Sequence, residues 1–182
     1  GSVFSRRFSK LSAEVEGLVQ ELLVDKGSFV RRSDVLCRID STFAQLDVED
    51  AAYRVGRGEA ARAEAQRQYD EGIRLSKEKI IAASDLESLR SRLRIAESEL
   101  KRDVLLEKRS RETLQRYELR APFDGMIVSK AIEEGEWINR GGTALTIVEL
   151  DVVFVEFLVP QIYYHRLSQE RDATLQFDAL PG

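Results

Sequence analysis

The sequence has few of the residues that carry enzyme and metal chemistry. Its 182 residues include one cysteine, one methionine, one histidine and one tryptophan. One cysteine cannot form an internal disulfide, and Cys37 lies in the apolar stretch VLCRI, so we interpret it as a small buried hydrophobe. His165 has no cysteine, histidine or carboxylate at metal-ligand spacing. We therefore expect no catalytic thiol and no metal site, and the sequence predicts no cofactor.

Sequence motifs for phosphate binding and hydrolysis are also missing. No GxSxG, P-loop or GxGxxG occurs, and Glu133 and Glu134 lie in a predicted turn without a partner for acid–base work. Acidic and basic residues are intermixed at a formal charge of −4, which does not favour nucleic acid as a partner. No apolar run approaches the ~20 residues that cross a bilayer. We interpret the chain as a protein that connects others, not as an enzyme.

Proline is absent from residues 41–118, and this stretch predicts a long helical hairpin. The outgoing helix is predicted over 42–76 and the returning helix from 84, each about 50 Å long at 1.5 Å per residue. Asp40, Ser41 and Thr42 are candidate N-caps of the outgoing helix. Ser84 followed by Glu87 predicts a capping box at the start of the returning helix.

Apolar spacing in the returning helix predicts a two-stranded coiled coil. Leucine and alanine recur at steps of three and four, at Leu86, Leu89, Leu93, Ala96 and Leu100. The next heptad positions fall on Asp103 and Glu107, so the pattern predicts a stutter there. In the outgoing helix, alanines favour close approach of the partner helix, and Gly56 and Gly58 are each expected to weaken it by about 1 kcal/mol.

The segments on either side of the hairpin repeat each other. Residues 16–36 match residues 124–145 at an offset of 108, and each copy predicts two strands around a glycine turn. One copy is too short to bury a core, so the two halves must pair face to face and bring the two ends of the hairpin together. We assign this pairing to Gly17, Val19, Gly27, Gly125, Ile127 and Gly135.

These patterns predict an elongated, multidomain α+β protein. Residues 3–13 form a lead-in strand, 14–40 and 119–150 form a split β-sandwich, and 41–118 form the hairpin. Residues 151–182 begin a further domain with a strand, a short helix at 161–168 and a strand at 173–179. The opening Gly-Ser and the ending soon after a predicted strand lead us to expect a fragment of a longer protein.

Two stretches carry a resemblance to a known family. VEGLVQELLVDKGSFVRRSDVLCRID and LRAPFDGMIVSKAIEEGEWINRGGTALTIVELD resemble the half-motifs of the biotinyl-lipoyl-like domain in periplasmic adaptor proteins, the membrane fusion proteins of HlyD and RND type. VVFVEFLVPQIYYHRL is similar to the opening of their β-barrel domain. The resemblance implies an α-helical coiled-coil hairpin inserted in a biotinyl-lipoyl-like β-sandwich, followed by part of a β-barrel.

The resemblance also implies a function. Such an adaptor links an inner-membrane transporter, expected to be RND-type, to a TolC-like outer-membrane channel for efflux of drugs or other small molecules. It forms a homo-oligomeric ring, expected to be a hexamer. It lies in the periplasm and is anchored to the inner membrane in the full-length protein, with the anchor outside this chain.

The resemblance places the channel contact at the hairpin tip, for which the candidates are Glu71, Leu75, Lys79, Ile80, Ile81 and Ala82. Many adaptors of this class carry an arginine, a leucine four residues later and a serine seven residues after that. The corresponding positions here are Glu71, Leu75 and Ala82, so only the leucine is kept. The residues alone leave a second possibility open, in which Ile80 and Ile81 only close the turn over the end of the seam.

Three other readings are left open by the sequence. An ABC-type exporter or secretion system would use an adaptor of the same shape. A biotin or lipoyl carrier would need a lysine in the tight turn that the hairpin replaces, and a cytoplasmic coiled-coil scaffold would need no membrane partner. The hairpin carries sixteen basic and sixteen acidic residues, which suit either a solvated surface or lateral packing of identical arms.

Overall fold

The computed structural model describes residues 2–5, 7–150 and 153–156. Along these residues the elements are β1 Ser2–Ser5, β2 Phe8–Ser12, β3 Gly17–Leu22, β4 Phe29–Val30, β5 Val35–Ile39, α1 Thr42–Lys77, α2 Ala83–Gln115, β6 Glu118–Arg120, β7 Gly125–Lys130, β8 Trp137–Ile138, β9 Thr143–Val148 and β10 Val153–Glu156. Strand β1 pairs with β10 in a two-stranded sheet of its own. The predicted helix at 161–168 and strand at 173–179 lie outside the described residues.

Two four-stranded antiparallel sheets form the sandwich, and each contains strands from both repeats. Their strand orders are β2-β9-β7-β4 and β6-β5-β3-β8. The short strands β4 and β8 cross between the halves, so that Phe29 lies opposite Met126 and Trp137 lies opposite Leu18. The offset of 108 residues maps one of these pairs onto the other. The two halves therefore exchange strands about an approximate two-fold axis, which the sequence pattern did not predict.

The core of the sandwich lies between these sheets. Val19, Leu36, Ile127, Leu145 and Ile147 are fully buried, and both repeats contribute to them. Removal of this apolar surface from water is the main stabilising contribution to the sandwich. Cys37 is also buried, and burial raises the pKa of its thiol to about 11. The structure thus confirms its interpretation as a buried hydrophobe.

The root of the hairpin is fixed by the strands on either side of it. Strands β5 and β6 pair directly, with Arg38 opposite Glu118. The backbone N–H of Ile39 donates a hydrogen bond of 2.8 Å to the carbonyl of Tyr117. An ion pair of 3.6 Å joins the Arg38 and Glu118 side chains. The ends of the hairpin are therefore adjacent, and the intervening chain goes out and comes back, as predicted.

In the returning helix, the residues that face α1 follow an unbroken heptad pattern. The buried and half-buried positions are 86, 89, 93, 96, 100, 103, 107, 110 and 114, at alternating steps of three and four. The predicted stutter is therefore wrong. Asp103 is 5% exposed and pairs with Arg102 at 3.2 Å, and Glu107 pairs with Arg111 at 2.7 Å. These arginines let two acidic side chains occupy seam positions that the sequence pattern reserved for apolar residues.

The outgoing helix presents a small residue to the seam in every heptad. Its buried residues are Ala44, Ala51, Gly58 and Gly72. Ala65 continues the same seven-residue spacing and is half-buried. A Cβ atom on Gly58 would stand 3.2 Å from Leu100 Cδ1 and 3.6 Å from Asp103 Oδ2, so this glycine makes room for both side chains. Gly56 has no neighbour within 4 Å of such an atom.

Helix α1 begins at the predicted residue, whereas helix α2 does not begin as predicted. Ser41 is the N-cap of α1, and Asp40 accepts hydrogen bonds from the Thr42 backbone at 3.0 Å and hydroxyl at 2.7 Å, which lower the pKa of its carboxyl. Helix α2 begins at Ala83 with Ala82 as N-cap and no side-chain cap. The predicted capping box is therefore wrong, because Ser84 already lies inside the helix.

Candidate docking site at the hairpin tip

The turn between the helices has a defined backbone structure. Lys79 has a φ of 57°, in the left-handed region that glycine usually occupies at a helix end. The N–H of Ile80 donates to the carbonyl of Leu75 at 2.9 Å, and the N–H of Lys79 donates to that of Ser76 at 3.0 Å. These two bonds form a Schellman motif that ends α1. The tip is therefore a hydrogen-bonded turn and presents its side chains in fixed directions.

The two isoleucines of the turn have different environments. Ile80 is 63% exposed. Ile81 is half-buried, and its Cδ1 lies 3.9 Å from the position of a Cβ atom on Gly72. Ile81 therefore closes the last layer of the seam, whereas Ile80 remains as an exposed apolar side chain on the tip. Closing of the turn over the seam therefore holds for Ile81, and docking stays a prediction for Ile80.

An ion-pair network covers the face of α1 next to the turn. The guanidinium of Arg74 donates two hydrogen bonds to Glu71, at 2.6 and 3.0 Å, and one to Glu78 at 3.1 Å. The bond from Arg74 lowers the pKa of the Glu71 carboxyl, and the bond to Glu71 raises the pKa of Arg74. The charge of Glu71 is thus compensated by Arg74, and this face of α1 is an exposed surface of mixed charge.

The structure divides the predicted tip residues into two groups. Glu71, Leu75 and Ile81 line one shallow depression together with Asp85 and Leu89. Lys79, Ile80 and Ala82 are exposed and lie in the turn itself. The predicted tip residues do not include Arg74 and Glu78. The sequence does indicate an ion-pair stripe on this helix, since acidic and basic residues alternate at steps of three and four at Glu64, Arg67, Glu71, Arg74 and Glu78.

The predicted pairing residues lie at matching places in the two halves of the sandwich. Val19 and Ile127 are fully buried in the core, on strands β3 and β7. Gly17 and Gly125 begin these strands, and a Cβ atom on Gly17 would stand 2.7 Å from Ile39 Cγ2. Gly27 and Gly135 have φ values of 91° and 83°, which a tight turn with a glycine provides.

The described part of the chain contains neither a cluster of metal ligands nor a membrane-spanning helix. Among residues 2–5, 7–150 and 153–156, no three histidine, cysteine, aspartate or glutamate side chains are placed to hold a metal ion. Neither of the two helices in these ranges combines the length and the apolar character of a membrane span.

The sequence is similar to those of two bacterial resistance proteins. Residues 7–149 match the family model described as CzcB-like, barrel-sandwich hybrid domain. The cobalt-zinc-cadmium resistance protein CzcB of Cupriavidus metallidurans is 33% identical over 148 residues, 79% of this chain and 28% of that protein. The multidrug resistance protein MdtA of Xenorhabdus bovienii is 28% identical over 163 residues, 88% of this chain and 40% of that protein. The chain thus spans well under half the length of these relatives.

The fold is also found in a solved structure. The membrane fusion protein Spr0693 of Streptococcus pneumoniae R6 superposes with a TM-score of 0.65 at 17% identity, over 84% of this chain and 64% of that one. At this identity the likeness concerns the fold. It bears out a helical hairpin combined with a barrel-sandwich hybrid, the fold class predicted from the sequence.

Proposed function

We propose that this chain, which belongs to the family of CzcB-like barrel-sandwich hybrid domains, is part of a periplasmic adaptor of a tripartite efflux system. The adaptor joins an inner-membrane transporter of RND type to a TolC-like outer-membrane channel. It works as a homo-oligomeric ring, a hexamer in the complete assembly, and the full-length protein is held at the inner membrane. It connects its partners and catalyses no reaction.

The hairpin is the observation that carries this proposal. Helices of 36 and 33 residues place the turn about 50 Å from the sandwich. At that distance the turn adds little to the core of the sandwich, yet it keeps Ile80 exposed on a hydrogen-bonded backbone. An exposed apolar side chain on a rigid support suits contact with another protein. We therefore take Glu71, Leu75, Lys79, Ile80 and Ala82 as the channel-contacting surface.

The other end of the molecule supports a second contact. Strand β10 follows the sandwich and pairs with the lead-in strand β1, with Val3 opposite Val155. We take residues 151–182 as the beginning of a β-barrel domain that faces the transporter.

The names of the relatives differ in substrate, since one confers resistance to cobalt, zinc and cadmium and the other to drugs. We propose export of small toxic compounds that the transporter selects.

Substitution of the exposed isoleucine tests the proposal in cells. The full-length protein with Ile80→Asp is produced in a strain that lacks its own copy, together with its transporter and channel. We expect export to fall to the level of the strain without adaptor, because the apolar contact is lost. Phe43→Asp, at an 81% exposed aromatic near the root of α1, is the matched control and should export normally. Normal export by a stably produced Ile80→Asp protein would contradict docking through the tip.

A further inference from the structure

Two exposed aromatic side chains occupy equivalent places in the two halves of the sandwich. Phe29 is 77% exposed and Trp137 is 60% exposed, and the offset of 108 residues relates them. Each lies on a two-residue strand at the end of a sheet, β4 in one and β8 in the other. Their neighbours Val30 and Ile138 are buried, so each strand turns its aromatic residue away from the core.

Both aromatics belong to larger apolar patches. Trp137 lies opposite Leu18, which is 43% exposed, and Phe29 lies opposite the half-buried Met126. Directly opposed side chains on one face of an antiparallel pair are in contact distance. Large apolar groups left exposed side by side on an edge strand mark an interaction surface, since burying them against a partner releases water.

The charges around the two aromatics are opposite in sign. The stretch 25–32 around Phe29 contains three basic residues and one acidic residue, whereas the equivalent stretch 133–140 around Trp137 contains three acidic residues and one basic residue. The side chains of Asp25 and Glu133 are both bound to Lys130 Nζ, at 3.1 and 2.8 Å. Their charges are therefore compensated within the chain.

The remaining charges define two surfaces. We call Lys26, Phe29, Arg31 and Arg32 the Phe29 surface. We call Leu18, Glu134, Glu136 and Trp137 the Trp137 surface. All eight side chains are exposed. Beside the first surface, Asp34 and Asp124 accept hydrogen bonds from the backbone N–H groups of Arg31 and Arg32, at 2.8 and 2.6 Å. Its three basic side chains outnumber these two carboxylates, so the first surface combines an aromatic with net positive charge, and the second combines an aromatic with negative charge.

We infer that the Trp137 surface of one copy of this chain docks on the Phe29 surface of the next copy. Pairing two Phe29 surfaces or two Trp137 surfaces would bring like charges together, whereas the unlike pair brings opposite charges around two stacked apolar patches. A pair of copies then keeps one free surface of each kind for further neighbours, and such a head-to-tail contact builds a ring when the rotation between neighbours closes. The inference deepens the proposed adaptor function by naming the surfaces that join its subunits.

The single tryptophan reports on this contact directly, because Trp137 is the only one in the chain. We expect its fluorescence emission to shift to shorter wavelength as the concentration of the purified chain rises, in step with association in sedimentation velocity. Raising the salt concentration should weaken both signals, since screening reduces the attraction between the two surfaces. Phe43→Ser, an exposed aromatic on the hairpin, is the control and should associate as the unaltered chain does.

A mixing experiment tests the head-to-tail arrangement. Phe29→Ser and Trp137→Ser each remove one surface, so each variant alone should sediment as a monomer. An equimolar mixture should form a complex of two chains and no larger one, because the intact Trp137 surface of one variant meets the intact Phe29 surface of the other. The substituted side chains are exposed, so both variants should keep the circular dichroism of the unaltered chain.

Three results would overturn the inference. They are a chain that stays monomeric with an unchanged tryptophan emission, a Trp137→Ser variant that associates as well as the unaltered chain, and a mixture of the two variants that stays monomeric while the unaltered chain associates. None of them bears on docking through the tip, which the Ile80→Asp export assay tests separately. Failure of the surface contact and failure of the adaptor function can therefore be told apart.

Discussion

Gly72 of the outgoing helix lies so close to Leu89 of the returning helix that a Cβ atom on the glycine would stand 2.5 Å from Leu89 Cδ1. Sixteen residues earlier in the same helix, Gly56 has no atom within 4 Å of the same position. Two glycines of one helix thus have different roles. Gly72 is part of the packing between the helices, and Gly56 only lowers helix propensity.

This difference predicts that a change from glycine to leucine has opposite effects on stability at the two positions. Gly72→Leu should lower the free energy of unfolding by about 1–3 kcal/mol, because the larger side chain pushes the helices apart. Gly56→Leu should raise it by up to about 1 kcal/mol, because leucine favours a helix and finds open space. Urea unfolding followed by circular dichroism at 222 nm measures both. Equal effects of the two substitutions would mean that the seam does not run through Gly72.

The turn at the tip predicts a stabilising substitution. Lys79 adopts a φ of 57°, where a side chain is strained and glycine is not. Lys79→Gly should therefore raise the free energy of unfolding by up to about 1 kcal/mol. Lys101→Gly, at an exposed position inside α2, should instead lower it by about 1 kcal/mol. A loss of stability of the same size in both variants would rule out the left-handed conformation at Lys79.

The ion-pair network at the tip predicts a pH dependence. Arg74 lowers the pKa of Glu71, so the ionised carboxylate is favoured in the folded arm. Its contribution to stability is present above the ordinary glutamate pKa of ~4.3 and is lost as the pH falls through the lower value of the folded state. Carboxyl-detected NMR titration should place the pKa of Glu71 below the ordinary range for glutamate. Arg74→Ala should raise this pKa back into the ordinary range. Arg90→Ala, which removes a separate ion pair with Glu87, should leave the pKa of Glu71 unchanged.

The buried thiol predicts low reactivity. Burial raises the pKa of Cys37 to about 11, so the folded state holds the neutral thiol. Below the ordinary cysteine pKa of ~8.5 the thiol is neutral in both the folded and the unfolded chain, so its burial does not make stability depend on pH. Stability should fall as the pH rises from about 8.5 towards 11, because the thiol ionises first in the unfolded chain. A thiol reagent at pH 8 should modify Cys37 only after denaturation. An exposed cysteine placed by Ser98→Cys should react in the folded protein, and fast reaction of Cys37 itself would place it outside the core.

Much of this fold could be predicted from the sequence because the features repeat. The offset of 108 residues and the absence of proline from 41–118 indicated a split sandwich and a hairpin. Strands β4 and β8 escaped prediction because two residues are too few to show an alternating pattern. The stutter was predicted because Asp103 was read as a surface residue, and the arginine beside it that makes its burial possible is recognisable only in three dimensions.

The hairpin tip was predicted less completely. Its position followed from the turn between two helical patterns, but the separate roles of Ile80 and Ile81 depend on the left-handed residue before them. A lysine at position 79 does not predict the left-handed conformation, because glycine usually occupies that conformation at a helix end. The spacing of three between Glu71 and Arg74 is typical of an ion pair on a helix, whereas comparison with the family's pattern shows Glu71 only as a residue in the place of an arginine.

Contact between Ile80 and the outer-membrane channel is the central claim, and site-specific photocrosslinking in cells tests it most directly. A photoreactive phenylalanine analogue is placed at position 80 of the full-length protein, and at position 43 near the root of the hairpin as a control. We predict a covalent adduct with the outer-membrane channel from position 80 and none from position 43. No channel adduct from position 80, or equal yields from both positions, would contradict the account.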